Sequence, residues 1–318
     1  MKRREFLGTA AATAILPALG ASPALAQWQP RRPINIIVPY NTGGGTDTYA
    51  RALATGLQDI LGVPIVIANC PGSGGIVGAT EAASARPDGT NFLVTTGGGF
   101  VMGWLFRDTP VNPFDDFQTV SQIGAIWASI AVPYDSPYQT AADLIADARA
   151  NPGTLRWAHT GRGALLHVAG QSLLNANGIE AVDVPFRGGG AVRTAVIGGQ
   201  VDFASIGVHQ ARGFENEMRV LGLIANQRDT LQPDIPTFGD LGFPYTNVYS
   251  PITMFAPNGV DDEILSTMDA AIQAVTSSTA FAETLEAMGN LPFYLDGAEA
   301  LAELRAIEQS ARPIIEAL

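Results

Sequence analysis

The sequence predicts an α/β protein of two lobes, each built on a doubly wound sheet and joined to the other by two long strands. Short apolar runs alternate with helical patterns over residues 32–122, and the alternation restarts over residues 140–224. Such alternation is typical of parallel sheets covered by helices. Two longer apolar runs, at 123–133 and 248–256, fit strands that cross between the lobes.

The first lobe begins with a buried strand that runs into a glycine-rich turn and a helix. We expect Gly62 to end this helix, because glycine readily adopts the left-handed conformation found after helices. In a doubly wound sheet, ligands bind at the carboxyl ends of the strands. The predicted strands of this lobe are 34–38, 64–68 and 91–95, and its predicted helices are 48–61 and 78–85.

The second lobe repeats the pattern, and three closing helices then return to the first lobe. The resulting boundaries are 27–126 plus 250–318 for lobe 1 and 127–249 for lobe 2. We expect lobe 2 strands at 155–159, 181–185, 201–206 and 218–224, lobe 2 helices at 140–150, 163–175 and 189–198, and closing helices at 261–277, 280–288 and 297–316.

The first 26 residues have the pattern of an export signal. Lys2, Arg3 and Arg4 precede a weakly apolar run, and Ala24-Leu25-Ala26 offers a small-x-small cleavage site. The RREFLG segment is similar to a twin-arginine signal. We therefore expect an exported, periplasmic protein.

Composition excludes several classes of function. The chain of 318 residues carries a formal net charge of −12, which argues against nucleic acid as a partner. Lys2 is its only lysine and Cys70 its only cysteine. A mature chain without lysine has none to bind a pyridoxal aldehyde or the phosphates of a P-loop nucleotide. One cysteine permits neither an intrachain disulfide nor a cysteine metal cage. We expect no cofactor.

Residues 38–47, VPYNTGGGTD, are the first candidate site. A strand that ends in three glycines and opens a helix leaves backbone N–H groups free, with the positive end of the helix dipole behind them, so it can bind an anion. A tight turn that binds nothing is the alternative. Asp47 would repel an anion, and we expect it to support the loop instead.

The second lobe offers a matching set of polar groups. Arg162 lies between two glycines at a helix start, where it can pair with a carboxylate or remain a solvated side chain. His159 ends a strand at the same edge and is as readily a structural histidine as a ligand donor. Arg187 precedes three more glycines and a helix. His167 is expected to be mainly structural, and we predict no metal site.

Seven segments in order resemble one known family. They are VPYNTGGGTD, NCPGSGGIVGA (69–79), ARPDGT (85–90), the glycines 97–99, PGTLRWAHTGRGALLHVAG (152–170), VPFRGGGAVRTAVIGGQVDFA (184–204) and PDIPTFGDLGFP (233–244). By these segments the mature chain is similar to the Bug-type extracytoplasmic solute receptors of tripartite tricarboxylate transporters.

The resemblance implies a two-lobed periplasmic binding fold of the type II class, a small organic acid held between the lobes, and membrane subunits of a transporter as partners. We expect a monomer. The predicted ligand-binding residues are Tyr40, Asn41, Thr42, Gly43, Gly44, Thr46, Asp47, Thr96, Gly97, Gly98, Phe100, Trp127, His159, Thr160, Gly161, Arg162, Gly163, Ala164, Phe186, Arg187, Gly188, Ser205, Gly207 and His209.

This chain departs from the family pattern at several positions. Asn41 and Thr42 stand where prolines are usual, and Ala164 and Leu165 stand where serines are usual. The loss of two hydroxyl donors favours a ligand with an apolar body, such as an aromatic or longer-chain acid. Two other functions stay open: a sensor that presents its ligand to a signalling partner, and an exported hydrolase that uses Ser73 or a histidine in the cleft. No catalytic motif supports the hydrolase.

Overall fold

The computed structural model describes residues 28–186, 188–247 and 249–316. The predicted export signal, Arg187 and part of the second long strand fall outside these ranges. The described chain forms two sheets, each covered by helices, and each sheet is the centre of one lobe. The predicted α/β class is therefore confirmed.

The first lobe opens with three strands that alternate with helices. Its β1 strand has the predicted bounds, and α1 ends at Gly62, which adopts φ 69° and donates its N–H to Gln58. The elements up to the first crossing are β1 (Ile34–Val38), α1 (Gly45–Leu61), β2 (Ile65–Asn69), α2 (Ile76–Ala83), β3 (Asn91–Thr96), α3 (Gly97–Phe106) and β4 (Phe117–Ile126).

The second lobe contains five strands and three α-helices, and the chain then returns to the first sheet. Its elements are β5 (Ala128–Pro133), α4 (Ala141–Ala150), β6 (Arg156–His159), α5 (Leu165–Ala176), β7 (Val182–Pro185), α6 (Gly189–Ile197), β8 (Phe203–Gly207) and β9 (Met218–Ile224). The returning elements are β10 (Ser250–Pro257), α7 (Asp262–Thr276), α8 (Thr279–Glu286), β11 (Pro292–Asp296) and α9 (Gly297–Glu316).

Both sheets mix parallel and antiparallel strands. The first has the order β11-β4-β10-β3-β1-β2, and the second has the order β7-β6-β8-β5-β9. The β1 strand pairs in parallel with β2 and β3, whereas β10 runs antiparallel to β3 and β4. The antiparallel pairs arise because β4, β5, β9 and β10 carry the chain between the lobes.

Trp127 is the point at which the chain leaves the first sheet. The apolar run 123–133, predicted as one strand, is two strands in two different sheets. Ala125 pairs with Pro251 in the first sheet, and Ala128 pairs with Gly207 in the second. The sequence does not reveal this break, because both strands are buried and together form one continuous apolar run. The pattern of apolar residues does not show which sheet each half joins.

Two elements of the first lobe were missed by the sequence patterns. Gly97–Phe106 forms α3, although three leading glycines have low helix propensity. Tertiary packing stabilises this helix in spite of its low propensity, because its Phe100, Val101 and Met102 side chains are buried. The edge strand β11 lies between the predicted helices 280–288 and 297–316, where no strand is predicted. None of the helices in the described part of the chain has the length and apolar character that a membrane crossing requires.

Candidate functional site

The helices that follow the parallel strands β1, β2, β3, β6 and β7 begin without a side-chain cap. The residues before α1, α2, α3, α5 and α6 are Gly44, Gly75, Thr96, Ala164 and Gly188, and none gives a side-chain hydrogen bond to its helix. In contrast, α4, α7 and α8 are capped by the side chains of their N-cap residues. Open N-terminal N–H groups attract anions. Both lobes therefore present anion-seeking backbone at the ends of their parallel strands.

Asp47 holds the loop between β1 and α1. Its carboxylate accepts hydrogen bonds from the N–H of Gly43 at 2.8 Å, from Arg51 Nε at 2.9 Å and from Asn69 Nδ2 at 2.9 Å. Burial alone would raise the pKa of Asp47, but the bonds from Arg51, Gly43 and Asn69 outweigh it and lower that pKa. The carboxylate is thus occupied inside the loop. Thr42 Oγ1 adds a hydrogen bond to Asn69 Oδ1 at 3.1 Å.

Tyr40 ties this loop to the end of β3. Its hydroxyl lies 2.6 Å from Thr96 Oγ1 and 3.1 Å from Thr95 Oγ1. The starts of α1 and α3 are therefore held in one arrangement, since Tyr40 precedes the first and Thr96 the second. Asn41, Thr42, Gly43 and Gly44 are exposed.

Two histidines shape the loop between β6 and α5 in the second lobe. Nδ1 of His159 accepts the N–H of Gly161, and Nδ1 of His167 accepts the N–H of Gly163, each at 3.1 Å. Both rings therefore carry their proton on Nε2 when neutral. Burial lowers the pKa of His159, and burial together with the neighbouring His159 lowers the pKa of His167 to about 4.

Arg162, at the centre of this loop, is paired within its own lobe. Its Nε and Nη2 donate to the two carboxylate oxygens of Asp183 at 2.7 and 2.8 Å. Arg162 also lowers the pKa of Asp183 to about 2, with a smaller contribution from His159. This side-on pair uses one edge of the guanidinium, and the side chain remains 63% exposed. The Nη1 group is left to meet a second acceptor.

His159, His167 and Asp183 come close enough to suggest a metal centre, with ligand atoms within 4.8 Å of one another. The positions of the protons on the two imidazole rings argue against a metal site. A histidine ligates a metal through the lone pair of one ring nitrogen and usually donates the proton of the other to an acceptor. Here both Nδ1 atoms accept backbone N–H groups, so both Nε2 atoms are protonated. The donor set does not fit a metal ion.

Trp127 and His209 lie where the lobes join. The Trp127 ring stacks on Tyr249, from the second crossing, with centroids 5.0 Å apart, and is 7% exposed. A side chain at Gly45 would place its Cβ 3.7 Å from Nε2 of His209, so this lobe 2 histidine faces the start of α1. Burial lowers the pKa of His209 to about 4, so the ring is neutral at pH 7.

Two predicted ligand contacts lie in the cores of the lobes instead. Phe100 is 4% exposed and packs edge-on against Phe117 and Phe255, because the glycines before it begin a helix that turns its side chain inward. Ser205 is fully buried on the α5 side of β8, next to Trp157 and Gly170. Neither residue belongs to the proposed binding set.

The other predicted residues fall into three groups by position. Gly97 is buried against Thr253 and Leu304, and Gly98 against Tyr249 and Leu165. Thr46 and Gly207 are also buried. Arg187 lies outside the described residues. Those that are exposed or partly exposed at the ends of the strands are Tyr40, Asn41, Thr42, Gly43, Gly44, Thr96, Thr160, Gly161, Arg162, Ala164, Phe186 and Gly188.

Several residues that organise these loops were missed by the sequence reasoning. Asn69 bonds Asp47, Thr42, Arg51 and the carbonyl of Tyr40. Asn69 is the last residue of β2, at the carboxyl end of a parallel strand, and that position was the available signal. Asp183 lies inside β7, in the short run VDVP, where nothing local marks it as the partner of Arg162.

Comparison with known proteins decides the family. The model of the tripartite tricarboxylate transporter family receptor matches residues 49–318. The chain belongs to this receptor family. A protein of the UPF0065 group from Cupriavidus necator is 30% identical over all of this receptor and 98% of its own length. BugT of Bordetella pertussis is 29% identical over 86% of the receptor and 85% of its own length.

Solved structures agree with this assignment. A Rhodopseudomonas palustris protein solved with adipate is 25% identical, with a TM-score of 0.82, and the similarity covers 90% of the receptor and 97% of that chain. MatC of the same organism, solved with bound malate, is 26% identical over 90% of the receptor and 99% of its chain, with a TM-score of 0.77. The periplasmic binding protein BugD has a TM-score of 0.75. The two-lobed fold and the expected Bug-type family are confirmed.

The family settles the broad class of function. The receptor is a solute-binding protein of a family of periplasmic receptors, and this family is one of receptors and not of enzymes.

Proposed function

We propose that the receptor captures a small organic carboxylate between its lobes and delivers it to the membrane subunits of a tripartite tricarboxylate-type transporter. The observation that carries the proposal is the set of uncapped helix starts on both lobes. Backbone N–H groups at such positions bind carboxylates without a permanent positive charge on the protein. Two of these starts, of α1 and α3, are linked by Tyr40 and Thr96.

The solutes of two relatives support the same chemical class. The structures of two Rhodopseudomonas palustris proteins contain adipate and malate, both dicarboxylates. We extend the class to this receptor because the donors of its strand-end loops, backbone N–H groups and hydroxyls, suit carboxylate oxygens. The formal net charge of −12 makes local donors in the cleft the more important for attracting an anion.

Arg162 is the proposed charged contact. Asp183 holds the Nε edge of its guanidinium, which fixes the side chain while its Nη1 group remains for the ligand. An arginine that is already anchored loses less side-chain entropy when it binds a carboxylate. Thr160 and Gly161 beside it, with Gly188 on the neighbouring loop, complete the proposed lobe 2 side.

Selectivity is proposed to arise at two pairs of residues. Ala164 and Leu165 make the start of α5 apolar, and Leu165 packs toward Gly98 of the first lobe. This side suits a ligand with an apolar body. Asn41 and Thr42 are exposed beside the open start of α1, where an amide and a hydroxyl can meet a carboxylate.

Isothermal titration of ligand-free, refolded receptor tests the proposal. The panel is malate, adipate, hexanoate and benzoate, and its matched variants are Asn41→Ala and Gln58→Ala. Asn41 stands beside the cleft, whereas Gln58 is an exposed residue near the far end of α1. We expect one acid or more to bind in a 1:1 complex, weakened by Asn41→Ala and unaffected by Gln58→Ala. A receptor that binds none of the acids contradicts the proposal.

The route to the periplasm and the partners are part of the same proposal. The twin-arginine segment at residues 1–26 lies outside the described residues, and we infer from its sequence that it directs export. Replacement of Arg3 and Arg4 by lysine is expected to leave the unprocessed chain in the cytoplasm. Normal export of this variant would contradict the twin-arginine route. A monomer on size-exclusion chromatography is expected.

A further inference from the structure

The end of α3 in the first lobe lies directly against the β6–α5 loop of the second. A side chain at Gly163 would place its Cβ only 2.3 Å from a ring carbon of Phe106. The next residue, Arg107, donates from Nη2 to the carbonyl oxygen of Arg162 at 3.5 Å. Its Nη1 reaches the carbonyl oxygen of Ser73, in the first lobe, at 3.3 Å. One short segment thus makes both an apolar and a polar contact across the lobes.

The surface that receives this segment has a fixed shape. His159 and His167 hold the N–H groups of Gly161 and Gly163. Both glycines have positive φ, 119° and 75°, a region that other residues rarely adopt. These hydrogen bonds and the Arg162–Asp183 pair lie within lobe 2, so the loop has support of its own. The loop therefore offers a preformed surface on which the Phe106 ring packs.

We propose that Phe106 and Arg107 form a latch that positions the two lobes in the closed arrangement. The Phe106 ring fills the space that the missing side chain of Gly163 leaves, and Arg107 links carbonyl groups of the two lobes. Gly163 is then required for two separate reasons, its backbone conformation and the room it leaves for Phe106. The inference concerns closure itself, and it rests on the proposed function only where closure is said to enclose a carboxylate.

The neighbouring glycine supplies a matched control. Gly161 also has positive φ, but a Cβ added there has no atom within 4 Å. Alanine strains the backbone at both positions, whereas only alanine at 163 also meets Phe106. Removal of the Phe106 ring should therefore relieve Gly163→Ala and leave Gly161→Ala unrelieved. A purely structural role of the loop would not produce this difference.

Closure can be measured by single-molecule energy transfer between the lobes. Dyes are attached to Ala146→Cys on α4 and Ser266→Cys on α7, both exposed, in a Cys70→Ser background. The measurement is made without ligand and with malate or adipate. It reports closure even where no acid binds, so failure of the latch and failure of the proposed function are distinguishable.

The expected result is a closed population in the parent protein that falls in Phe106→Ala, falls further, by at least about fivefold, in Gly163→Ala, and rises to the Phe106→Ala level when the two changes are combined. Arg107→Met should also lower it. Phe106→Ala should give no recovery in the Gly161→Ala background. The latch is overturned if Gly163→Ala closes like the parent, if Phe106→Ala rescues both glycine variants equally, or if the parent shows no closed population under any condition.

Discussion

Arg162 donates to both carboxylate oxygens of Asp183, from Nε at 2.7 Å and from Nη2 at 2.8 Å. The pair joins the β6–α5 loop to the neighbouring strand β7, and His159 bonds the same carboxylate at 3.2 Å. An exposed arginine is thereby fixed at the proposed ligand site. Its partner was not evident from the sequence, although the arginine was.

The first prediction concerns the charge that Arg162 supplies. Arg162→Ala should weaken binding of the receptor's acid at least about tenfold, because a charge-assisted hydrogen bond to a carboxylate is lost. Arg156→Ala is the control, since Arg156 is similarly exposed and also has a carboxylate partner. Its Nε lies 3.6 Å from Oδ2 of Asp202. Titration calorimetry compares the two. Equal affinities for Arg162→Ala and the parent would remove Arg162 from the site.

Asp183→Asn gives a second view of the same pair. The amide can still accept a hydrogen bond from Arg162 but no longer carries a charge, so the side chain should be held less firmly. We expect a smaller loss of affinity than in Arg162→Ala. A loss greater than that of Arg162→Ala would mean that Asp183 acts on the ligand by another route than through Arg162.

The second prediction concerns acid sensitivity. Burial lowers the pKa of His167 from 6.5 to about 4. The unfolded chain therefore binds more protons than the folded chain between these values. The contribution of neutral His167 to the free energy of unfolding is complete above about pH 6.5. It is lost as the pH falls toward 4, by up to about 3 kcal/mol.

Urea denaturation at a series of pH values measures this effect. His167→Gln keeps an acceptor for the Gly163 N–H but does not titrate, so its unfolding free energy should fall less steeply between pH 6.5 and 4. A residual slope is expected, since the pKa of His209 is also lowered to about 4. Identical slopes for His167→Gln and the parent would contradict a depressed pKa at His167.

The third prediction tests the support of the β1–α1 loop. Asp47→Ala removes the acceptor of Gly43, Arg51 and Asn69 from a position that is 2% exposed. The cost should be about 1–3 kcal/mol of unfolding free energy, because three hydrogen bonds to a charged acceptor are lost. Asp59→Ala, on an exposed turn of the same helix, should change stability by less than about 0.5 kcal/mol.

Hydrogen exchange shows whether this loss is local. The Gly43 amide should exchange faster in Asp47→Ala, while β9 of the other lobe keeps its protection. A uniform loss of protection across both lobes would mean that Asp47 supports the whole fold and not this loop.

Much of the fold could be predicted because its signals are local. β1 and β9 have the predicted bounds, and Gly62 ends α1 as its left-handed conformation requires. The helix of Gly97–Phe106 could not be predicted, because packing of its buried face overrides three glycines. The break at Trp127 depends on which sheet each half joins, and this is a long-range property.

The site divides in the same way. Strand ends and glycines marked the loops that carry uncapped helix starts, since their position follows from the fold class. The partners of those loops could not be found, because Asn69, Asp183 and Phe106 act through contacts between distant segments. For the same reason the sequence predicts Phe100 and Ser205 as ligand contacts, whereas both lie in the cores of the lobes.

The most direct test of the central claim is the structure of the receptor purified with its natural solute and solved by crystallography. The account predicts one small organic acid between the lobes, with carboxylate oxygens against the N–H groups at the starts of α1 or α3 and of α5 or α6. A solute without a carboxylate, or a carboxylate bound away from these helix starts, would contradict it.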